Sequence, residues 1–129
     1  MGSRHRPISA TEMAVLKVLW ENGPGTTREI QALLRRQGRR WAYTTVLTLL
    51  QRLEVKGYVA SDKRAVAHVF RPAVSRERLI RRRLRELSNQ VCGGEATPLV
   101  LALVEGYRFS PEEIEQFRRL LDQLEEAKE

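Results

Sequence analysis

Thr44, Thr45, Leu47, Thr48 and Gln51 lie within one short stretch of this 129-residue chain and carry its most readable chemistry. A threonine hydroxyl can donate to or accept from a base edge in a DNA major groove. The threonine methyls and Leu47 can touch thymine methyls, and a glutamine amide is shaped to meet adenine. Around that stretch stand Arg28, Arg39, Arg40, Tyr43, Arg52 and Lys56, with Lys63 and Arg64 further on. These are side chains that hold phosphates and fix register without reading sequence. A row so rich in methyls could also be core, but the charged neighbours Arg39, Arg40 and Arg52 demand solvent or phosphate.

The charge distribution points the same way. The net charge is +7. Residues 1–74 hold 13 Lys/Arg against 5 Asp/Glu, residues 75–85 hold 6 against 1, and residues 86–129 hold 4 against 10. A basic front joined to an acidic back suggests a polyanion-binding part and a tail employed differently. The longest apolar run, Leu99 to Val104, is far shorter than the roughly 20 residues that span a bilayer, so no membrane insertion is expected. The N-terminal Met-Gly-Ser-Arg-His-Arg lacks the apolar core of a secretory signal, and a cytoplasmic location is expected. Cys92 is a single cysteine and cannot form an internal disulfide or anchor a zinc site by itself. There is no Ser/His/Asp or Cys/His arrangement and no glycine-rich phosphate loop. The expectation is a binding protein, not an enzyme, with neither cofactor nor metal.

The elements that must position these residues are marked by caps. Ser9-Ala10-Thr11-Glu12 and Thr26-Thr27-Arg28-Glu29 are capping boxes, each opening an apolar-periodic helix. The first helix stops at Asn22-Gly23-Pro24 and the second at Gly38. A third helix follows Trp41, with Val46, Leu49, Leu50 and Leu53 on one buried stripe, and ends at Gly57. The period then becomes two. Tyr58–Ser61 and Ala65–Phe70 predict a hairpin with Asp62-Lys63-Arg64 at its tip and Pro72 closing it. Three helices followed by a hairpin make a winged helix-turn-helix, with the third helix for recognition and the hairpin as wing. Beyond it, Ser75 caps a basic helix broken at Gly93-Gly94. Pro98 opens a short apolar helix, and Ser110-Pro111-Glu112-Glu113 starts a last one. Leu84, Leu87 and Val91, then Leu99, Leu101 and Leu103, then Ile114, Phe117, Leu121 and Leu124 form seams too short for a free coiled coil. Docking on a second copy is their natural outlet. The expected architecture is therefore mainly α: a winged-helix domain over 1–74 and a helical dimerisation domain over 75–129.

Ile8-Ser9-x-x-Glu12, Val18-Leu19-Trp20, Trp41-Ala42-Tyr43-Thr44-Thr45-Val46-x-Thr48-Leu49-Leu50-x-Arg52-Leu53 and Lys56-Gly57 resemble the BlaI/MecI penicillinase-repressor family. The resemblance continues through Ser75, Gly93-Gly94, Pro98-Leu99-Val100, Val104-Glu105 and Ser110-x-Glu112-Glu113-Ile114. It implies a homodimeric repressor of palindromic operator DNA, released when a protease cuts within the C-terminal part, with a membrane sensor-protease as partner. The bond cut in the resembled repressors is Asn-Phe and aligns here with Ala102-Leu103. The better-known members carry basic residues where Thr44 and Leu47 stand, so their operator does not transfer base for base. The family's copper sensors use clustered C-terminal cysteines, which this chain lacks.

Some residues keep a second reading. Arg81, Arg82, Arg83 and Arg85 could graze DNA, attract a partner's acidic tail or keep a helix soluble; the −6 of residues 86–129 favours the tail. His68 alternates with Val66 and Phe70 and is expected to be packed, while His5 sits in a basic arm. Cys92 is expected as a small apolar residue, with a redox switch as the runner-up. The alternative for the whole chain is a winged-helix module that docks proteins without sequence-specific DNA binding. The +8 of residues 1–74 favours DNA.

Overall fold

The computed structural model describes residues 7–64 and 66–128. The His5 arm and position 65 of the hairpin therefore lie outside the described residues. The chain divides into two compact units, one ending at Arg81 and one beginning at Arg82.

In the first unit, α1 (Ala10–Asn22), α2 (Thr27–Arg36) and α3 (Tyr43–Val55) enclose a core of Leu16, Leu19, Ile30, Leu34, Leu50 and Leu53. Both expected capping boxes are present. Ser9 and Glu12 bond reciprocally at the start of α1, as do Thr26 and Glu29 at the start of α2. At the far end of α3, Gly57 turns the chain at φ 88°. The Tyr58 N–H then reaches the Leu53 carbonyl at 2.9 Å. That left-handed stop needs a residue without Cβ.

The sheet holds three strands in the order β1-β3-β2: β1 (Gly25–Thr26), β2 (Val59–Asp62) and β3 (Val69–Pro72). Two expectations change here. A third strand is present, too short for its pattern to show, pairing Gly25 with Phe70 and Thr26 with Val69. The hairpin is also displaced toward the C-terminus. Asp62 pairs with Val69 and Val59 with Pro72, so Asp62 is a strand residue and the tip runs from Lys63 to His68. Pro72 sits inside a strand because β1 does not extend that far, and the missing N–H is not called on from that side. The displacement takes His68 out of its expected packed position: His68 and Val66 are exposed, while Phe70 is buried.

The packing of the first unit extends past residue 74 into α4 (Arg76–Val91). Val74 and Leu79 belong to the core, whereas Ile80 is exposed. Trp20 Nε1 donates to the Val74 carbonyl at 2.8 Å, and the Arg76 guanidinium lies 5.4 Å from the Trp20 ring centroid. The second unit holds the rest of α4 with α5 (Thr97–Gly106) and α6 (Pro111–Lys128). Gly93 and Gly94, both at positive φ, end α4, with the Gly94 N–H on the Ser88 carbonyl at 3.0 Å. Among the described residues of this unit only Ser88 is buried.

Candidate nucleic-acid interface

On α3 the core stripe is Val46, Leu49, Leu50 and Leu53, all at most 5% exposed. The opposite face is open, with Thr44, Thr45, Thr48, Gln51 and Arg52 all exposed. Leu47 is half-buried, packed in part against the core cluster. The first turn of α3 differs from those of α1 and α2. Its N-cap is Ala42, and no side chain caps it. Its leading N–H groups are therefore not satisfied by a cap, and the positive end of the helix lies beside the threonine row.

Two arginines are stacked beside that turn. Arg28, from α2, lies 5.3 Å from the Tyr43 ring centroid, and Arg39 lies 5.4 Å from the Trp41 ring centroid. Stacking on an aromatic face orients a guanidinium while leaving its edge donors available. Gln31 Nε2 donates to the Trp41 carbonyl at 3.1 Å and steadies the segment that leads into α3. Arg40 is exposed in the same connection.

A recess of about 340 Å³ separates α3 from the wing. Arg28 with Thr26 and Thr27, Tyr43 with Leu47 and Gln51, and Val66, Ala67, His68 and Phe70 line it. Residues of the helix-turn-helix and of the wing thus share one concave surface. In the wing, Lys63 and Arg64 are exposed. Asp62 accepts from the Arg64 backbone N–H at 3.0 Å and from its Nε at 3.2 Å. Those bonds hold the Asp62 carboxyl below its usual range. Across the recess, the Thr26 N–H donating at 2.8 Å does the same for Glu29.

Lys56, expected at a phosphate, is bonded within the fold. Its Nζ donates to Glu12 Oε1 at 2.7 Å and to the Pro7 carbonyl at 2.8 Å. Glu12 is itself buried and also accepts from the Ser9 N–H at 2.9 Å. Burial raises the Glu12 carboxyl, but the bond from Lys56, the Ser9 N–H and the lysine charge outweigh it and leave the carboxyl below its ordinary value. The lysine is committed to the fold. The capping-box signal located Glu12, while nothing local in the sequence announced a partner 44 residues away. Sequence reasoning likewise missed His68 and Arg71 as exposed polar groups on the wing side.

The expected dimerisation residues all lie in the second unit and are unburied there. Leu84, Leu87 and Val91 on α4, Leu101 and Leu103 on α5, and Ile114, Phe117, Leu121 and Leu124 on α6 are exposed, and Leu99 is half-buried. Phe109 meets Phe117 edge-on at 5.0 Å between centroids. Ala102-Leu103 sits in the middle of α5. Among the described residues, no three His, Cys, Asp or Glu side chains could hold a metal ion together, and no helix is long and apolar enough to cross a membrane.

The penicillinase repressor family model matches residues 8–123. The penicillinase repressor of Bacillus licheniformis is 27% identical over 121 residues, covering 94% of each chain. The transcriptional regulator BlaI of Mycobacterium tuberculosis is 33% identical over 116 residues, covering 88% of this chain and 82% of its own. Among solved structures, the monomeric form of Bacillus licheniformis BlaI in complex with the blaP half-operator is 28% identical. It aligns at a TM-score of 0.48 over 57% of this chain and 89% of that one.

Proposed function

The chain belongs to the penicillinase repressor family, and we propose that it is a cytoplasmic, homodimeric repressor that binds palindromic operator DNA through α3. The observation that carries this reading is the open face of α3: an uncapped first turn, a row of exposed hydroxyls and Gln51, and two arginines stacked on the aromatic rings beside that turn. Thr44, Thr45, Leu47, Thr48 and Gln51 would read base edges. Arg28, Arg39, Arg40, Tyr43 and Arg52 would hold phosphates beside the major groove, and Lys63 and Arg64 would do so from the wing.

Dimerisation through the second unit is supported by its burial deficit. A helical unit whose large apolar side chains are nearly all exposed has not completed a core. Each aliphatic or Phe side chain fully buried by a second copy would contribute roughly 1.5–3 kcal/mol. Release follows if a sensor-protease severs Ala102-Leu103, since the cut removes α6 from the pairing surface. That bond is helical, so α5 must open locally before it can enter a protease cleft.

The test is selection of bound sequences from random duplex DNA by the purified chain, followed by binding at rising salt. A palindromic motif is expected. If a dimer neutralises about six to ten phosphates, affinity falls by about 10³–10⁵ between 50 and 200 mM salt. No enriched motif together with a flat salt profile would overturn the reading.

A further inference from the structure

His68 is exposed at the end of the wing tip, one residue before Val69 pairs with Thr26. It lines the recess shared with α3 and faces the side occupied by Arg28, Tyr43 and Gln51. The charged and titratable groups on the elements around it are Arg28, Glu29, Arg35 and Arg36 on α2, Tyr43, Arg52 and Glu54 on α3, and Asp62, Lys63, Arg64 and Arg71 on the hairpin. The three carboxylates in that set are engaged at home, Asp62 by Arg64, Glu29 by Thr26 and Glu54 by the Ser61 hydroxyl. The recess lining holds one fixed charge, the cation Arg28, with the hydroxyls of Thr26, Thr27 and Tyr43, the Gln51 amide and the apolar Leu47 and Phe70. An imidazole in that place adds a donor whose charge depends on pH.

We propose that His68 is a DNA-backbone contact of the wing and takes up a proton as a phosphodiester enters the recess. DNA affinity then rises as pH falls through the histidine range. The proposal rests on the DNA-binding reading of this face and adds a residue to it. Histidine is the side chain that ordinarily changes charge between pH 5 and 8. An anion within about 4–6 Å favours its charged form. If bound protein holds more protons than unbound protein at a given pH, acid strengthens the complex. Each protomer contributes one such group, so a dimer couples to pH twice as steeply as a single half-site. A phosphate contact carries no sequence information, so the effect attends every duplex the protein binds.

The experiment measures anisotropy of a labelled duplex carrying the selected motif and of an unrelated duplex. Both are titrated at constant ionic strength from pH 8 to pH 5.5 with the wild-type chain, His68→Gln and His68→Arg. His68 is exposed, so both variants should melt with the wild type, and thermal denaturation checks this. Over that range the wild type is expected to gain about threefold to tenfold more affinity than His68→Gln, on both duplexes. His68→Arg should hold the acid-side affinity already at pH 8. Retention of the full wild-type pH dependence by His68→Gln would overturn the proposal, because every other titrating group remains in that variant. An excess confined to the selected motif would overturn it too, by making His68 a reader of bases. Failure of the wild type to bind either duplex at any pH would instead overturn the DNA-binding reading.

Discussion

Replacing Lys56 by methionine keeps the length of the side chain and removes its charge, which separates two roles the residue could play. In the structure the ammonium reaches Glu12 Oε1 at 2.7 Å, and the two side chains are 19% and 2% exposed. Removing one partner of a buried ion pair costs about 3–5 kcal/mol, since the other charge stays buried without compensation. Here Glu12 keeps the Ser9 N–H, and Lys56 retains some contact with water, so the expected cost is lower, about 2–3 kcal/mol. For a unit of this size that lowers Tm by roughly 8–24 °C, read by calorimetry on the first unit's transition. The double variant Glu12→Gln/Lys56→Met should recover about 1 kcal/mol of the loss, because no charge remains to be left alone. The sign with pH is fixed as well. Glu12 is held below its ordinary value of 4.5. Its contribution is therefore complete above that pH and is lost as pH falls through the lower, folded value. Lys56→Met removes the main support for that lowering, so the stability gap between wild type and variant should narrow as pH falls below that value. DNA affinity of the folded variant should stay within about twofold, with the salt slope unchanged. An unaltered Tm together with a salt slope reduced by about one would refute this reasoning and make Lys56 a phosphate contact after all.

Thr48→Ala should relax preference among operator variants in competitive binding, because Thr48 is proposed to face bases. Arg64→Ala should weaken all sequences alike and flatten the salt slope by about one; identical effects on specificity would show the two contacts mis-sorted. A chain ending at Val100 should keep the cooperative melt of the first unit, sediment as a monomer and lose at least about tenfold in operator affinity, because its two half-site contacts no longer add through a tether. A dimer that binds as tightly as the full chain would place the pairing surface elsewhere.

What the sequence showed in advance was the part governed by local chemistry. Ser9 and Glu12, Thr26 and Glu29, and Ser110 and Glu113 are bonded as their spacing requires. The apolar stripe of α3 also faces the core as its period demands. The wing was less legible. Alternation along Ala65–Phe70 predicted a packed strand, but register is set by what faces the core and by the β1 pairing. Gly25-Thr26 was too short for its pattern to reveal it. Lys56 looked like one more cation near the groove because its partner is distant in sequence. Leu79 and Ile80 are both aliphatic, and only the packing of the start of α4 within the first unit selects Leu79 for burial.

Thr26 joins the wing to the helix-turn-helix. Its backbone belongs to β1, opposite Val69, while its hydroxyl accepts the Glu29 N–H at the start of α2. A strand favours a β-branched residue, and a helix start favours a side-chain oxygen. Serine meets the second demand, valine meets the first, and threonine meets both. A position constrained twice should tolerate fewer replacements than its half-exposed setting suggests. In a saturation library selected for folded protein, Thr26 should behave like a core residue, although its neighbour Arg28 on the same helix varies freely.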